Sequence, residues 1–322
     1  MRVETVEHPI NERPWYQRLD ALGEARGSFE RLGNAHAALF IDETPTLLVS
    51  FETAESMGTA EDAVPLAFDL AEDAGWSLLS VICEGDTWFR DPRVYGYFDR
   101  LVDDGFFEDF DRVVFYGAGM CGYAAAAFSV AAPGATVITI CPQATLDPRV
   151  TEWDPRFAQH RRLSFTDRYG YAPDMLEAAN HAFILYDPDV SLDSVHAALF
   201  TRPNVTKLRC RWLNGSVEAD LVKMGVLAEM LDAACEGHLT EEIFHQLYRA
   251  RRDYKPYLRR LMETLEYEDR PYLTALLCQS VAGRLRAPLF RKRFKQAVSK
   301  LSESGPLPDW LDIDTLDKAA DG

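Results

Sequence analysis

The chain has 322 residues, of which 47% are hydrophobic and 26% are charged, as is typical of a folded protein with room for more than one domain. Its 51 acidic residues exceed its 34 basic residues and give a net charge of −17. This charge disfavours nucleic acid as a partner, because binding to phosphates requires basic surface. Apolar runs are shorter than the roughly 20 residues that span a bilayer, and the first residues lack the apolar core of a signal peptide. We therefore predict a cytoplasmic protein without membrane association.

Over about the first 200 residues, short apolar runs alternate with amphipathic segments. The first prediction is a helix over 14–32. Strands are predicted over Ala37–Ile41, Thr46–Phe51, Ser77–Cys83, Arg112–Tyr116, Thr136–Cys141, Ala182–Tyr186 and Val205–Cys210. Helices are predicted between them over Ala63–Ala74, Val94–Asp104, Gly122–Ala132, Met175–Ala179 and Leu192–Phe200. Several strands are continuously apolar, which suits burial on both faces of a mostly parallel α/β sheet with helices on both sides.

The pattern changes near residue 217, after which only helical periodicity remains. Helices are predicted over Val217–Glu236, Thr240–Arg251, Tyr254–Glu266, Arg270–Arg286 and Leu289–Leu301. Basic residues concentrate in this region: Arg249, Arg251, Arg252, Arg259, Arg260, Arg284, Arg286, Arg291, Lys292, Arg293 and Lys295. We predict an α/β domain over 1–232, an α-helical domain over 233–304 and an acidic tail over 305–322 that we expect to be flexible.

The six cysteines are scattered, without a C-x-x-C pair, so we predict no disulfide framework and no metal site. We also predict no bound cofactor. A dinucleotide site would need G-x-G-x-x-G, which fits only once, at Gly117, Gly119 and Gly122, without a well-placed acidic residue about 20 positions later.

The most informative stretch is Val113–Ala127, in which an apolar strand enters a Gly-rich turn that opens an Ala-rich helix. This is the context of a nucleophile elbow, whose pattern is G-x-S-x-G. With Gly117 as the first glycine, Gly119 stands at the Ser position and Cys121 at the second glycine. Glycine has no side chain, so the tip of this turn carries no nucleophile.

Residues 116–125, with the sequence Y-G-A-G-M-C-G-Y-A-A, resemble the α/β-hydrolase superfamily, and more narrowly a branch with a Y-G-S-S-M-G-G-Y-A-A elbow. The resemblance also includes the Trp-containing loop Val81–Phe89 and extends to Leu231. It implies a sheet with the elbow at its centre, a pocket over the carboxyl ends of the strands, and a triad in the order Ser, acid, His.

On this resemblance, two of the three triad positions are empty. The acid position has three candidates, Asp187, Asp189 and Asp193. At the His position, the resemblance expects the dipeptide Gly-His, whereas this sequence has Gly215-Ser216. The sequence therefore predicts a degenerate, non-catalytic or catalytically impaired protein that binds a small molecule or takes part in a protein assembly. The predicted pocket follows successive strands and comprises Glu84, Asp86, Trp88, Gly119, Met120, Gln143 and Asp187.

Two alternatives are enzymatic. Cys121 lies near a helix N-terminus, which lowers the pKa of a thiol, so it could be the nucleophile of a cysteine-dependent hydrolase or acyltransferase. Its candidate partners are Asp187, Asp189 and His196. Two further histidines, His160 and His181, are also candidate bases. Cys235–His238 weakly resembles a motif of phosphoadenosine phosphosulfate reductases, with the residues of the motif in a scrambled order. This resemblance would imply a thiol oxidoreductase.

The basic helical domain of a strongly acidic chain suggests a partner of opposite charge. We predict a homo-oligomer or a protein partner that binds through this domain, as an alternative to a merely solvated helical surface.

Overall fold

The computed structural model describes Ile10, residues 13–57 and residues 64–306. The predicted tail lies outside the described residues from position 307 onward. The chain divides into two compact units, residues 1–245 and residues 246–322. The sequence-based domain limits at 232 and 304 stay predictions.

The first unit contains one eight-stranded sheet. Its strands are β1 Gly27–Arg31, β2 His36–Ile41, β3 Thr46–Thr53, β4 Ser77–Cys83, β5 Arg112–Ala118, β6 Thr136–Ile140, β7 His181–Tyr186 and β8 Val205–Arg209. They lie in the order β1-β2-β4-β3-β5-β6-β7-β8. β2 is antiparallel to both of its neighbours, and all other neighbouring strands are parallel. The predicted mostly parallel α/β sheet is confirmed, with β5 near its centre.

The α-helices of the described residues are α1 Pro14–Arg26, α2 Leu66–Ala74, α3 Pro92–Asp103, α4 Met120–Phe128, α5 Pro148–Thr151, α6 Ala172–Met175, α7 Ser191–Leu199, α8 Val217–Lys223, α9 Val226–Cys235, α10 Glu241–Leu247, α11 Lys255–Tyr267, α12 Pro271–Arg284 and α13 Pro288–Ser304. Within the described residues, no helix is both long and apolar enough to cross a membrane.

Burial on both faces explains why the central strands have continuous apolar sequences. Every residue of β4 is buried, and α4 packs against β3, β5 and β6 on one face. The four alanines Ala124–Ala127 are fully buried in that contact, because small side chains let the helix approach the sheet closely. Phe128, at the end of α4, packs against Phe51 and Phe98 with ring centroids 5.5 and 4.6 Å away.

The predicted helix over 14–32 is wrong in its second part, where the chain forms β1. This strand pairs antiparallel with β2, Gly27 lying opposite Ile41. A Cβ atom at Gly27 would lie 2.1 Å from the carbonyl oxygen of Phe40, so this approach of the two strands requires glycine. The ring of Phe29 contacts that of Tyr16 edge-on at 4.7 Å, so this residue of β1 packs against α1.

The predicted helix over Val217–Glu236 is two helices, α8 and α9. Gly225 separates them with a positive φ of 73°, a left-handed conformation that ends one helix before the next begins. In the second unit, α12 and α13 pack along each other over a core that includes Cys278, Phe290 and Phe294.

Candidate functional site

The elbow keeps its backbone conformation although its tip carries no side chain. Gly119 joins β5 to α4 with φ 57° and ψ −121°, a region that glycine adopts far more readily than other residues. Its amide donates to the Ile140 carbonyl (2.8 Å), and its carbonyl accepts from the Tyr123 amide (3.0 Å). A Cβ atom at Gly119 would have no atom within 4 Å, so the space that a nucleophilic side chain would enter is open.

The turn is tight two residues before the tip. A Cβ atom at Gly117 would lie 2.3 Å from the carbonyl oxygen of Cys121. Glycine at this position therefore allows the first turn of α4 to fold back onto β5. The strand, turn and helix are assembled as in a nucleophile elbow, with Gly119 where that elbow presents Ser.

A mostly parallel sheet with this elbow near its centre is what the sequence resemblance implied. The chain has an α/β-hydrolase-like fold. A scan against protein-family models gives no match, and a search of curated proteins gives none either.

Among solved structures, the chain is similar to a capsule O-acetyltransferase of Neisseria meningitidis serogroup A, with 11% identity and a TM-score of 0.41 over 61% of this chain and 92% of that one. It is similar to Est1E from Butyrivibrio proteoclasticus, with 13% identity and a TM-score of 0.42 over 63% and 97%. A third similar structure is α/β hydrolase domain-containing protein 10 from mouse, with 11% identity and a TM-score of 0.34 over 63% and 98%. The α/β-hydrolase-like assignment rests on the chain's own strand order and elbow.

The loop that holds the acid candidate contacts the loop in which the resemblance expects a His. Asp187 follows β7 and is completely buried. Its Oδ1 accepts the amide of Asp189 (2.9 Å), and its Oδ2 accepts the amide of Asn214 (2.6 Å). Asn214 directly precedes Gly215-Ser216, where the resemblance expects Gly-His. The carboxylate therefore binds a backbone N–H of this second loop, next to Gly215-Ser216.

Cys121 is buried in the first turn of α4, and its environment opposes a thiolate. Burial raises the pKa of the Cys121 thiol well above its usual value, and the charges of Cys83, Glu52 and Glu218 raise it further. This shift is opposite to the one that the helix N-terminus alone would produce, because loss of solvation and neighbouring carboxylates outweigh the helix dipole. This environment disfavours the thiolate form of Cys121.

The candidate bases for Cys121 are held in other interactions. Nδ1 of His196 accepts the amide of Ala144 (3.1 Å), and Nε2 bonds to Oδ2 of Asp154 (3.1 Å), so both ring nitrogens of this buried residue are used. Nε2 of His181 lies 2.8 Å from the Thr206 hydroxyl, and Nε2 of His160 lies 3.2 Å from a carboxylate oxygen of Asp86.

The acidic residues considered as partners in the site also make other contacts. Asp189, the other acid named as a partner for Cys121, lies 3.5 Å from the guanidinium of Arg211. Asp193 bonds to Arg156 (2.7 Å), which also binds the carboxylate of Asp154. The candidates on the loop after β7 therefore belong to ion pairs and backbone contacts.

The predicted pocket residues are only partly brought together. The Trp88 amide lies 3.1 Å from Sδ of Met120, which places this loop against the first turn of α4. The Trp88 ring is buried against Tyr123, Phe157 and Phe165. Its indole N–H is buried without a hydrogen-bond partner among the described residues. These aromatic side chains thus pack beside the first turn of α4, while the space directly at Gly119 stays open.

The other predicted pocket residues make local contacts. Glu84 pairs with Arg13, and Asp86 pairs with His160. The Gln143 side-chain amide donates to the Cys141 carbonyl (3.1 Å), while its Oε1 is buried without a partner among the described residues.

Two carboxylates near the elbow, the buried Glu52 and the half-buried Glu218, were not singled out from the sequence. Glu52, at the end of β3, accepts the amides of Leu66 (2.6 Å) and Ala67 (3.0 Å) at the start of α2. Burial raises the pKa of Glu52 to about 7, although these hydrogen bonds act in the opposite direction. Glu218 accepts the hydroxyl of Tyr116 (2.5 Å), and burial raises the pKa of this carboxyl too. The alternating polar residues Ser50 and Glu52 in an apolar strand were the available signal.

Two cavities lie away from these residues. A cavity of about 620 Å³ lies at the amino ends of β5 and β6, where Arg112, Val113 and Thr136 line it together with Asn180. A second cavity of about 310 Å³ lies between residues 145–150 and 165–175. Neither lining includes a residue of the predicted pocket. Within the described residues, no group of three or more His, Cys, Asp or Glu side chains is arranged to hold a metal ion.

Proposed function

We propose that this protein is a non-hydrolytic α/β-hydrolase-like protein that acts as an assembly component. The observation that carries this proposal is Gly119 at the tip of an intact elbow. Acyl transfer at this position requires a nucleophile, and glycine supplies none. The environment of Cys121 argues against a substitute nucleophile, because a thiol with a raised pKa and engaged candidate bases is poorly activated.

Activity-based labelling tests the non-hydrolytic part of the proposal. The native protein is incubated at neutral pH with a fluorophosphonate probe and, separately, with an iodoacetamide probe, and modified residues are mapped by mass spectrometry. We expect no labelled Ser and no preferential labelling of Cys121, while the unfolded protein reacts at its cysteines. A labelled Ser would overturn the proposal. Selective labelling of Cys121, together with an ester-hydrolysis activity that Cys121→Ala abolishes, would favour the cysteine-dependent hydrolase or acyltransferase.

Opposite charges on the two units support the assembly role. Residues 246–306 contain 14 basic and six acidic residues, a net charge of +8, whereas residues 1–245 contain 19 basic and 40 acidic residues, a net charge of −21. Among the described residues, several exposed cations of the helical unit have no carboxylate partner: Arg249, Arg252, Lys255, Arg259, Arg286 and Lys292. Such a surface favours an acidic protein surface as its partner. We infer that another copy of this chain, through its acidic unit, is that partner.

Matched charge reversals test the assembly role. One variant carries Arg249→Glu, Arg252→Glu and Arg259→Glu in the helical unit. The control reverses three exposed cations of the first unit, Arg162, Arg209 and Lys223. Analytical ultracentrifugation in low salt is expected to show self-association of the native chain and of the control, and its loss in the first variant and in high salt. A native chain that is monomeric at both salt concentrations would contradict the proposal.

A further inference from the structure

The cavity at the amino ends of β5 and β6 opens at the protein surface. Its floor is apolar, with Leu101 and Phe107 buried and Phe110 and Val113 half-buried. Val102, which also lines the cavity, is 49% exposed. The floor is therefore an apolar surface that another molecule can cover, like the apolar centre of a protein–protein interface.

The rim of this cavity is acidic. Five acidic residues belong to the segment 101–113: Asp103, Asp104, Glu108, Asp109 and Asp111. Glu108 and Asp111 line the cavity directly. All five side chains are exposed, and none forms an ion pair with another of the residues that the structure describes. The carboxylates of this acidic rim are thus available to cations of another molecule.

One cation lies in the same wall. The guanidinium of Arg112 lies against Gly237, just after the end of α9. A positive charge in this position interacts favourably with the negative end of the helix dipole. The segment 101–113 has a net charge of −4 with Arg112 included, so this residue does not neutralise the acidic rim.

The helical unit carries the complementary charges. Lys255 and Arg259 lie four residues apart on α11 and therefore project from the same side of the helix, and Arg252 lies three residues before it. All three are exposed and have no carboxylate partner among the described residues. Basic side chains have long apolar stems, which can cover an apolar floor while their charged ends reach carboxylates. The beginning of α11 thus matches both the floor and the acidic rim.

We propose that the acidic rim and the apolar floor of this cavity receive the beginning of α11 from a second copy of the chain. This contact rests on the proposed function, because it is the place at which the basic unit of one copy meets the acidic unit of the other. Other surface carboxylates already have partners, as Glu30 has Arg100 and Asp99 has Arg168, whereas those of the rim do not. Complementary charges around an apolar centre favour association and fix its orientation.

Charge reversal at the rim tests this contact. The rim variant carries Asp103→Lys, Glu108→Lys and Asp111→Lys. The control carries Glu24→Lys, Asp73→Lys and Glu152→Lys, which reverse three exposed acidic residues of the first unit that have no ion pair among the described residues. Both variants have the same net charge. In analytical ultracentrifugation at low salt, we expect the dissociation constant of self-association to rise at least tenfold in the rim variant and to stay near the native value in the control.

The outcomes separate this contact from the assembly role. If the native chain and the rim variant associate equally, the contact at the rim is overturned and the assembly role stands. A native chain that is monomeric in low salt would refute both. If all chains associate alike and calorimetry shows that spermidine binds the native chain but not the rim variant, the rim holds a small cation and the contact is overturned.

A mixture of two variants provides a second measurement. The rim variant is mixed with the chain that carries Arg249→Glu, Arg252→Glu and Arg259→Glu. We expect neither variant to associate alone and the equimolar mixture to associate, because the reversed charges of one chain meet those of the other. A mixture that stays monomeric, although circular dichroism shows both chains folded, would contradict the contact. If the rim variant does not fold, the milder Asp103→Asn, Glu108→Gln and Asp111→Asn replaces it, with an expected rise of about threefold in the dissociation constant; an unchanged value would overturn the contact.

Discussion

The two edges of the central sheet differ in what fills them. At the carboxyl edge, the elbow, Trp88 and Asp187 are held by packing and backbone hydrogen bonds, and the buried Glu52 and the half-buried Glu218 lie near them. At the amino edge of β5 and β6, a cavity of about 620 Å³ remains open. In this fold the carboxyl edge is where a ligand is expected. The comparison teaches that the edge at which this fold is expected to bind a ligand can be packed by groups that stabilise the fold, while a cavity of this size lies at the opposite edge.

The largest expected effect is at the elbow. Gly117→Ala places a methyl group 2.3 Å from the carbonyl oxygen of Cys121, so the first turn of α4 must move, and we expect a loss of about 3 kcal/mol or more in the free energy of unfolding. Gly119→Ala meets no atom within 4 Å and costs only the strain of its positive φ, about 1 kcal/mol. Urea denaturation of both variants measures the difference. Equal losses would show that the carboxyl edge is not tightly packed.

Glu52 is expected to make stability depend on pH. Its pKa is raised from 4.5 to about 7 in the folded chain, so the folded state binds the proton more tightly than the unfolded state. The resulting stabilisation is complete below about pH 4.5 and is lost as the pH rises through 7, by about 3 kcal/mol in total. Glu52→Gln removes this dependence and should therefore gain stability relative to the native chain between pH 5 and pH 8. Urea denaturation at pH 5 and at pH 8 measures the free energy of unfolding of both chains, with the exposed Glu55→Gln as the control. Parallel pH profiles of the native chain and Glu52→Gln would contradict the burial argument.

Asp187 is expected to stabilise the loops rather than to support chemistry. Asp187→Ala leaves the amides of Asp189 and Asn214 without their acceptor, and we expect a loss of about 2 kcal/mol. Asp189→Ala removes a half-exposed carboxylate beside Arg211 and should change stability by less than about 0.5 kcal/mol. Thermal denaturation compares the two variants. A larger loss for Asp189→Ala would reverse the roles assigned to these residues.

The smallest effect is expected at the amino edge. Val113 lines the large cavity, so Val113→Leu should change the free energy of unfolding by less than about 0.5 kcal/mol. Val137 is fully buried in β6, and Val137→Leu should cost about 1 kcal/mol or more through overpacking. Urea denaturation measures both changes. Equal losses in the free energy of unfolding would show that the cavity at the amino edge does not make room for the larger side chain at Val113.

Local patterns predicted the fold well where burial alone decides it. β4 was predicted over Ser77–Cys83 and has those limits, because a strand buried on both faces is continuously apolar. The elbow was recognised from its glycines, whose spacing follows from the turn itself. β1 was missed because it is an edge strand with a single large apolar residue, Phe29, and its pairing with β2 is a tertiary contact.

The electrostatics of the site were harder to predict. The helix N-terminus suggested a lowered pKa for Cys121, but burial and the carboxylates of Glu52 and Glu218 raise it. Glu218 and its partner Tyr116 are 102 positions apart, and no local pattern brings such residues together. Composition and periodicity report neighbours along the chain, whereas a pKa depends on neighbours in space.

The hydrogen bond between Asp187 and the amide of Asn214 has a consequence for inferring activity from motifs. A buried carboxylate that joins two loops stabilises them whether or not any reaction takes place. Selection for folding alone is enough to retain such a residue. An acid at this position of the fold is therefore a feature of the architecture, and its presence does not by itself indicate a catalytic triad.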